Sequence, residues 1–268
     1  MTTMLRSAAS PAPFPPPWAS SWGEDACGLW LTVSLRGIRQ LFRWIKPGRF
    51  LMGSPEKENE GYFLPGKETR HEVRLSKGFW LAETAVTQEL WLAVMRSNPS
   101  GFIGPQQPVE RVSWDMAQQF LRQLNALVPG LNARLPSEAE WECACRAGSG
   151  GPFSFGEAIT PEQVNYNPSD EIGEKLCRRR TVPVKSLPAN AWGLHEMHGN
   201  IWEWCQDGWQ EDLGGEAVLD PQGTAATGVL RVVKGGSWVC GAGYVRAAVR
   251  DRCWPDFSGG SIGLRLAV

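Results

Sequence analysis

Cysteine and histidine are the side chains of this sequence that could supply a nucleophile or hold a soft metal ion. The 268 residues include 7 cysteines and 3 histidines. Cys143 and Cys145 are two positions apart, so on a helix they would point to different faces. Their spacing is therefore only a weak signal for a metal site or a disulfide. His195 and His198 do not have the His-x-x-x-His spacing of a helical metal site either. Spacing alone therefore identifies no metal centre.

The segment 239–264 is a second candidate for function, because its composition departs from the rest of the chain. It contains no Lys, Glu, Gln, Met or Asn, and it carries Tyr244, Trp254 and Phe257 among glycines and serines. Large aromatic side chains with few rotors beside adaptable Gly and Ser are typical of a paratope. The composition therefore predicts a binding surface. The alternative is an irregular segment whose aromatic side chains fill pockets in the core.

The elements that must position this segment are predicted from periodicity and capping residues. Alternating apolar residues predict strands over residues 28–37, 42–52, 71–75, 79–81, 181–184, 229–233 and 262–268. Thr87, Ser113 and Ser137 each precede an amphipathic run, so each is predicted to cap a helix. Most of the chain after Gly148 is predicted to be loop. The pattern indicates an α+β fold with long irregular stretches.

Composition and charge exclude several classes of protein. The 27 basic and 28 acidic residues give a net charge of −1, so we expect no nucleic-acid partner. No apolar run reaches 18 residues, so we expect no membrane span. Residues 1–26 are interrupted by proline and are interpreted as a flexible Pro-rich leader. An odd number of cysteines without a dense framework favours a cytoplasmic location.

Five blocks together carry a resemblance to a known family. They are residues 42–54, 134–142, 196–204, 231–238 and 263–265. In this order they resemble the formylglycine-generating-enzyme (sulfatase-modifying factor) family, whose domain is a variant of the C-type lectin fold. The resemblance implies one α+β domain over residues 27–268 with little regular secondary structure.

The resemblance also bears on catalysis. Catalytic members of the family use copper(I) held by two cysteines, one after the Gly-Gly-Ser-Trp block and the other five residues later. Cys240 occupies the first position here, but Val245 occupies the second. Two-coordinate binding of a soft ion needs both sulfurs. We therefore expect no copper and no enzyme activity, and a copper-dependent formylglycine-generating oxidase is the alternative.

The resemblance implies a calcium site as well. Asn200 and Glu203 lie in a motif with which relatives bind structural Ca2+, and hard oxygen ligands suit that ion. A hydrogen-bonded turn, with Asn200 in the left-handed conformation, explains the same two residues equally well. Asn165 and Asp170 are weaker candidates for a second ion.

Finally, segment 239–264 resembles the variable region of proteins diversified by retroelements. Related sequences are rich in Asn here, whereas this one has Val, Cys, Gly, Tyr, Asp, Phe and Ser. All seven are reached from the Asn codon AAC by changing only adenines, which is the pattern of diversity-generating retroelements.

Residues 239–261 are therefore the predicted variable region, displayed to an unidentified ligand that we expect to be a protein. The predicted ligand-binding positions are Val239, Cys240, Gly241, Gly243, Tyr244, Val249, Asp251, Cys253, Trp254, Phe257, Ser258, Gly259, Gly260 and Ser261. Of these, Trp254 is predicted to face solvent.

Overall fold

Small sheets and short helices make up the regular structure, which a computed structural model describes over residues 10–55, 58, 67–168, 177–223 and 226–268. The strands are β1 (Ser21–Asp25), β2 (Gly28–Leu35), β3 (Ile38–Ile45), β4 (Gly48–Met52), β5 (His71–Leu75), β6 (Phe79–Ala82), β7 (Trp202–Gly208), β8 (Val218–Leu219), β9 (Arg231–Lys234), β10 (Arg250–Cys253) and β11 (Ile262–Gly263). The helices are α1 (Gln88–Met95), α2 (Trp114–Leu127) and α3 (Glu138–Arg146). The predicted α+β class is confirmed.

The strands form three sheets. The first has the order β1-β2-β3-β6 and is antiparallel throughout. The second, which we call the C-terminal sheet, has the order β10-β9-β7-β11, and a third contains β4, β5 and β8. In the C-terminal sheet β11 runs parallel to β7, while β9 is antiparallel to both of its neighbours. Segment 239–264 thus leaves this sheet after β9 and returns to it as β10 and β11.

The three helices begin directly after the predicted capping residues. The side chains of Thr87, Ser113 and Ser137 each accept a hydrogen bond from a backbone N–H in the first turn. Ser137 also forms a capping box, because the Glu140 carboxylate accepts from the Ser137 backbone N–H in return. Local hydrogen bonding of this kind explains why the helix starts are readable from sequence.

Tryptophan side chains fill the core between the sheets and the helices. Trp91 of α1 stacks on Phe120 of α2, with ring centroids 5.0 Å apart. Trp204 lies in the same cluster, and Trp141 lies in a second cluster between α3 and the C-terminal sheet. Because each indole N–H of Trp91, Trp141 and Trp204 donates to an oxygen, these large side chains are buried without an unsatisfied donor.

Two regions differ from the predicted elements. Residues 181–184 form no strand, since the Asn200 side chain bonds both the N–H and the carbonyl of Val182 and replaces a neighbouring strand. Conversely, β7 and β10 fall within the stretch predicted to be mostly loop. Both strands contain charged residues, such as Glu203 and Arg250, that are nevertheless buried, so hydrophobic alternation did not reveal them.

The predicted flexible leader over residues 1–26 is also corrected. Residues 1–9 lie outside the described residues, but β1 pairs with β2 as the edge strand of the first sheet. Phe14 stacks on Trp80 at 5.9 Å, and Asp25 forms an ion pair with Arg43 at 2.7 Å. Residues 14–25 are therefore part of the domain. In the described part of the chain, none of the helices has the length and apolarity needed to cross a membrane.

Buried charges join α3 to the C-terminal sheet. The Lys234 ammonium donates to the Glu142 carboxylate at 3.0 Å, and both side chains are fully buried. Arg146 also donates to Glu142, at 2.9 Å. Burial opposes ionisation of Glu142, yet these two cations hold its pKa at about 2. Arg250 of β10 forms a bidentate pair with Glu138 at the start of α3.

Removing the Lys234 ammonium is expected to destabilise the fold strongly. Lys234→Met leaves a buried carboxylate with one cation fewer, which costs about 3–5 kcal/mol of unfolding free energy. Urea titration measures the loss. Arg49→Met is the matched control, because the Arg49–Glu72 pair is exposed and its loss is expected to be much smaller. Equal losses in the two variants would contradict a structural role for the buried network.

Candidate ligand-binding surface

Two glycines at the end of β9 allow the C-terminal segment to fold back closely on itself. Gly235 and Gly236 have φ values of +96° and +69°. A Cβ atom on Gly236 would lie 2.6 Å from the Tyr244 carbonyl oxygen and 2.5 Å from a methyl group of Val245. Only glycine fits this close approach and this conformation. The approach holds the Ala242–Tyr244 turn against the sheet.

Three large apolar side chains of the segment face solvent, and together they form what we call the exposed patch. Val239 is 47% exposed, Trp254 58% and Phe257 50%. The solvent-facing position predicted for Trp254 is confirmed. Single exposed apolar residues are ordinary, but three large ones within one short segment call for a functional explanation.

Backbone contacts fix the loop that carries the exposed patch. The Trp254 carbonyl accepts from the Phe257 N–H at 3.0 Å, which closes a turn. The Pro255 carbonyl accepts from the Asp115 N–H at the start of α2. The Trp238 indole donates to the Gly260 carbonyl at 3.3 Å, so this loop is tied to the stretch that precedes Val239. The two ends of the patch are therefore held to the same frame, by which we mean α2, α3 and the C-terminal sheet.

Cys240, Asp251 and Cys253 are half-buried beside the exposed patch. The Cys240 sulfur lies 3.4 Å from the Ser237 hydroxyl and also interacts with the Trp202 side chain. Burial raises the pKa of the Cys240 thiol despite these hydrogen bonds. Burial and the nearby Asp251 carboxylate raise the pKa of Cys253 to about 11. Both groups are therefore thiols at neutral pH, which weakens them as nucleophiles and as metal ligands.

The other predicted positions divide between surface and interior. Ser258 is exposed, and Gly241, Tyr244, Gly259, Gly260 and Ser261 are half-buried. Gly243 and Val249 are buried, which corrects their predicted place on the surface. The Gly243 carbonyl accepts from the buried Arg246 side chain. Val249, directly before β10, is 1% exposed. Composition marked the segment but did not give the direction of each side chain.

Val245, for which the family resemblance suggested the position of a second cysteine, lies in an apolar cluster. It is fully buried with Phe153, Val164 and Tyr166, and Cys240 packs against the edge of this cluster. The Val245 carbonyl accepts from the His198 ring at 2.7 Å. The neighbours of Cys240 in this cluster are therefore apolar side chains.

Asn200 and Glu203 do not fit the Ca2+ site that the sequence suggested for them. Both Glu203 oxygens accept from Arg265, and one also accepts from the Trp141 indole. Asn200 has φ +64°, and its side-chain oxygen accepts from Asn165 and from the Val182 N–H. A guanidinium beside the carboxylate repels a cation, so this arrangement favours the alternative of a hydrogen-bonded turn.

The second candidate calcium site has one of its two residues, Asn165, within the described part of the chain. The side-chain oxygen of Asn165 is buried and accepts no hydrogen bond within the described residues. A buried, unpartnered amide oxygen suits a hard cation. Asp170, its proposed companion, lies outside the described residues. Among those residues, no group of three or more His, Cys, Asp or Glu side chains is arranged to hold a metal ion.

His198 is a buried group that the sequence analysis did not assign to the site. One ring nitrogen contacts the Val245 carbonyl, and the other accepts from the Ser154 N–H at 3.1 Å. Burial lowers the pKa of His198 to about 4. A neutral ring that bonds two backbone groups fixes the position of Val245.

The low pKa of His198 predicts a loss of stability in mild acid. As the pH falls from about 6.5 to about 4, the unfolded chain binds a proton at this ring and the folded chain does not. The folded state should lose about 3 kcal/mol over this window relative to a His198→Gln variant. Urea unfolding of both proteins across this range measures the difference. Parallel stability curves would show that His198 is not held neutral.

The amino-acid sequence of this chain is similar to that of a known family. Residues 40–268 match the model of the sulfatase-modifying factor enzyme 1-like domain. The formylglycine-generating enzyme of Bos taurus is 36% identical over 61% of this chain and 44% of its own length. That of Streptomyces coelicolor is 35% identical over 61% of this chain and 53% of its own. The chain thus spans about half the length of these curated relatives.

Solved structures give the same fold. "Treponema denticola variable protein 1" is 26% identical and superimposes with a TM-score of 0.75, covering 89% of this chain and 98% of that one. PvdO from Pseudomonas aeruginosa is 24% identical with a TM-score of 0.67, covering 93% of this chain and 98% of its own. The latter likeness supports the fold alone. From the family match and these structures, the chain belongs to the family of sulfatase-modifying factor enzyme 1-like domains, with their C-type lectin-like fold.

Proposed function

We propose that this protein is a non-catalytic ligand-binding protein whose diversified surface lies between residues 239 and 261. The observation that carries the proposal is the exposed patch of Val239, Trp254 and Phe257, whose two stretches of chain are joined by the hydrogen bond from Trp238 to Gly260. Rigid aromatic side chains bind with little loss of conformational entropy. The patch is therefore suited to recognition.

The arrangement of constant and variable positions supports the proposal. Arg246 and Arg250 do not belong to the seven residue types of the codon pattern, and both are buried and pair with buried carboxylates. Val239, Trp254, Phe257 and Ser258 stand outside this frame. Changing them would leave the buried contacts intact, since distant or exposed substitutions have small effects on stability.

The similarity to "Treponema denticola variable protein 1" supports the same function. The superposition covers 89% of this chain and 98% of that one, with a TM-score of 0.75. Because one fold carries many functions, this similarity adds to the argument from the surface and does not replace it.

A protein is the ligand class that fits the patch best. Half-exposed Trp and Phe side chains are common anchors of protein–protein interfaces. The seven cysteines are free thiols, which supports the expected cytoplasmic location. A small number of changed side chains on a fixed loop would alter the partner without altering the fold.

The second candidate is a copper-dependent oxidase that makes formylglycine, favoured by the relatives of 35–36% identity. Against it stands the pair of Cys240 and Val245. Cys240 is a thiol of raised pKa, and a buried valine lies where the family's second cysteine is expected. One sulfur does not complete a two-coordinate copper site.

The DNA around the gene tests diversification directly. We expect a downstream reverse transcriptase and a near-identical template repeat, differing from the gene only where the template has adenine. The codons of the buried Arg246 and Arg250 are internal controls and should be the same in both copies. Absence of such a repeat, or differences spread equally over buried and exposed codons, would return the protein to an unspecialised member of its family.

A further inference from the structure

A cavity of about 600 Å³ lies on a part of the domain that the exposed patch does not reach. It is lined by the β3–β4 connection, the start of β2 and the loop after α3. None of the predicted variable positions contributes to its wall. Its size is that of a site for a small organic molecule.

The wall of the cavity combines apolar side chains with cations. Trp44, Phe50 and Trp192 provide aromatic surface. The charged residues of the wall are Lys46, Arg49, Arg70 and Arg146, and none of the described residues that line it is Asp or Glu. In a chain of net charge −1, such a concentration of one sign raises the local potential.

Two of these cations are available to a ligand. Arg146 is buried and bonded to Glu142, and Arg49 pairs with Glu72 at 3.2 Å. Lys46 and Arg70 are exposed, and no ion pair engages either of them within the described part of the chain. An anionic group placed at the mouth of the cavity would meet both charges, while its apolar portion contacts the aromatic wall.

We propose that this cavity binds a small aromatic or aliphatic molecule that carries an anionic group such as a carboxylate or sulfonate. The apolar wall supplies affinity through burial of ligand surface, and Lys46 and Arg70 select the charged end. Binding here is independent of the ligand of the exposed patch. The protein would thus have one changeable surface and one constant small-molecule site.

A matched pair of fluorescent probes tests the proposal on the full chain. The first is 8-anilinonaphthalene-1-sulfonate, and the second is N-phenyl-1-naphthylamine, which has the same rings without the sulfonate. In the double variant Lys46→Gln/Arg70→Gln, the anionic probe should bind about tenfold more weakly, while the neutral probe changes less than about twofold. Raising the salt concentration should weaken binding of the anionic probe to the wild type.

A blocking variant locates the binding. A Cβ atom on Gly150, in the wall, meets no atom within 4 Å, so Gly150→Trp should fill the cavity and reduce binding of both probes without unfolding the chain. Trp254→Ala, in the exposed patch, is the control and should leave both affinities unchanged. The proposal is overturned if Trp254→Ala removes probe binding, if Gly150→Trp has no effect, or if the double variant weakens both probes equally. Thermal unfolding of each variant verifies that it is folded.

Discussion

Ion pairs between buried cations and buried carboxylates hold the C-terminal sheet and helix α3 in one arrangement. Lys234 and Arg250 lie on neighbouring strands in register with each other, and they pair with Glu142 and Glu138, one turn apart on the helix. Each ion would be very unfavourable in the interior without its partner. The helix, the end of β9 and the start of β10 are therefore fixed relative to one another, and the segment between the two strands begins and ends at fixed points.

A third ion pair completes the frame on the far side of the segment. Arg265 is fully buried against Glu203 of β7, and it also donates to the Ala82 carbonyl of the first sheet. Buried ion pairs thus lie before, within and after the segment 239–261. Side chains such as Trp254 stand outward from this frame. The surface proposed to vary needs a backbone whose position does not depend on its side chains, and the buried ion pairs supply that backbone.

Sequence patterns predicted the features that local chemistry determines. They were wrong where the direction of a side chain or its tertiary partner determines the structure. Helix starts at Thr87, Ser113 and Ser137 follow from side-chain hydrogen bonds within one turn. The exposure of Trp254 followed from its place among codon-variable residues. The burial of Val249 did not, because composition carries no information on which way a side chain points. Strand β10 was missed since its Arg250 looks like a surface residue until Glu138 is placed beside it. The motif resemblance identified the family, while the partners of Glu203 inside the fold favour the hydrogen-bonded turn over the calcium site.

The proposed non-catalytic role depends on Cys240, which packs against the buried Val245 where the family resemblance places a second cysteine. The most direct measurement supplies the purified protein with copper(I), oxygen and a cysteine-containing sulfatase peptide, and follows formylglycine by mass spectrometry. A formylglycine-generating enzyme from the family, assayed in parallel, shows that the reaction mixture is competent. We expect no formylglycine above the protein-free background. Turnover by this protein that is abolished by Cys240→Ala would contradict this expectation.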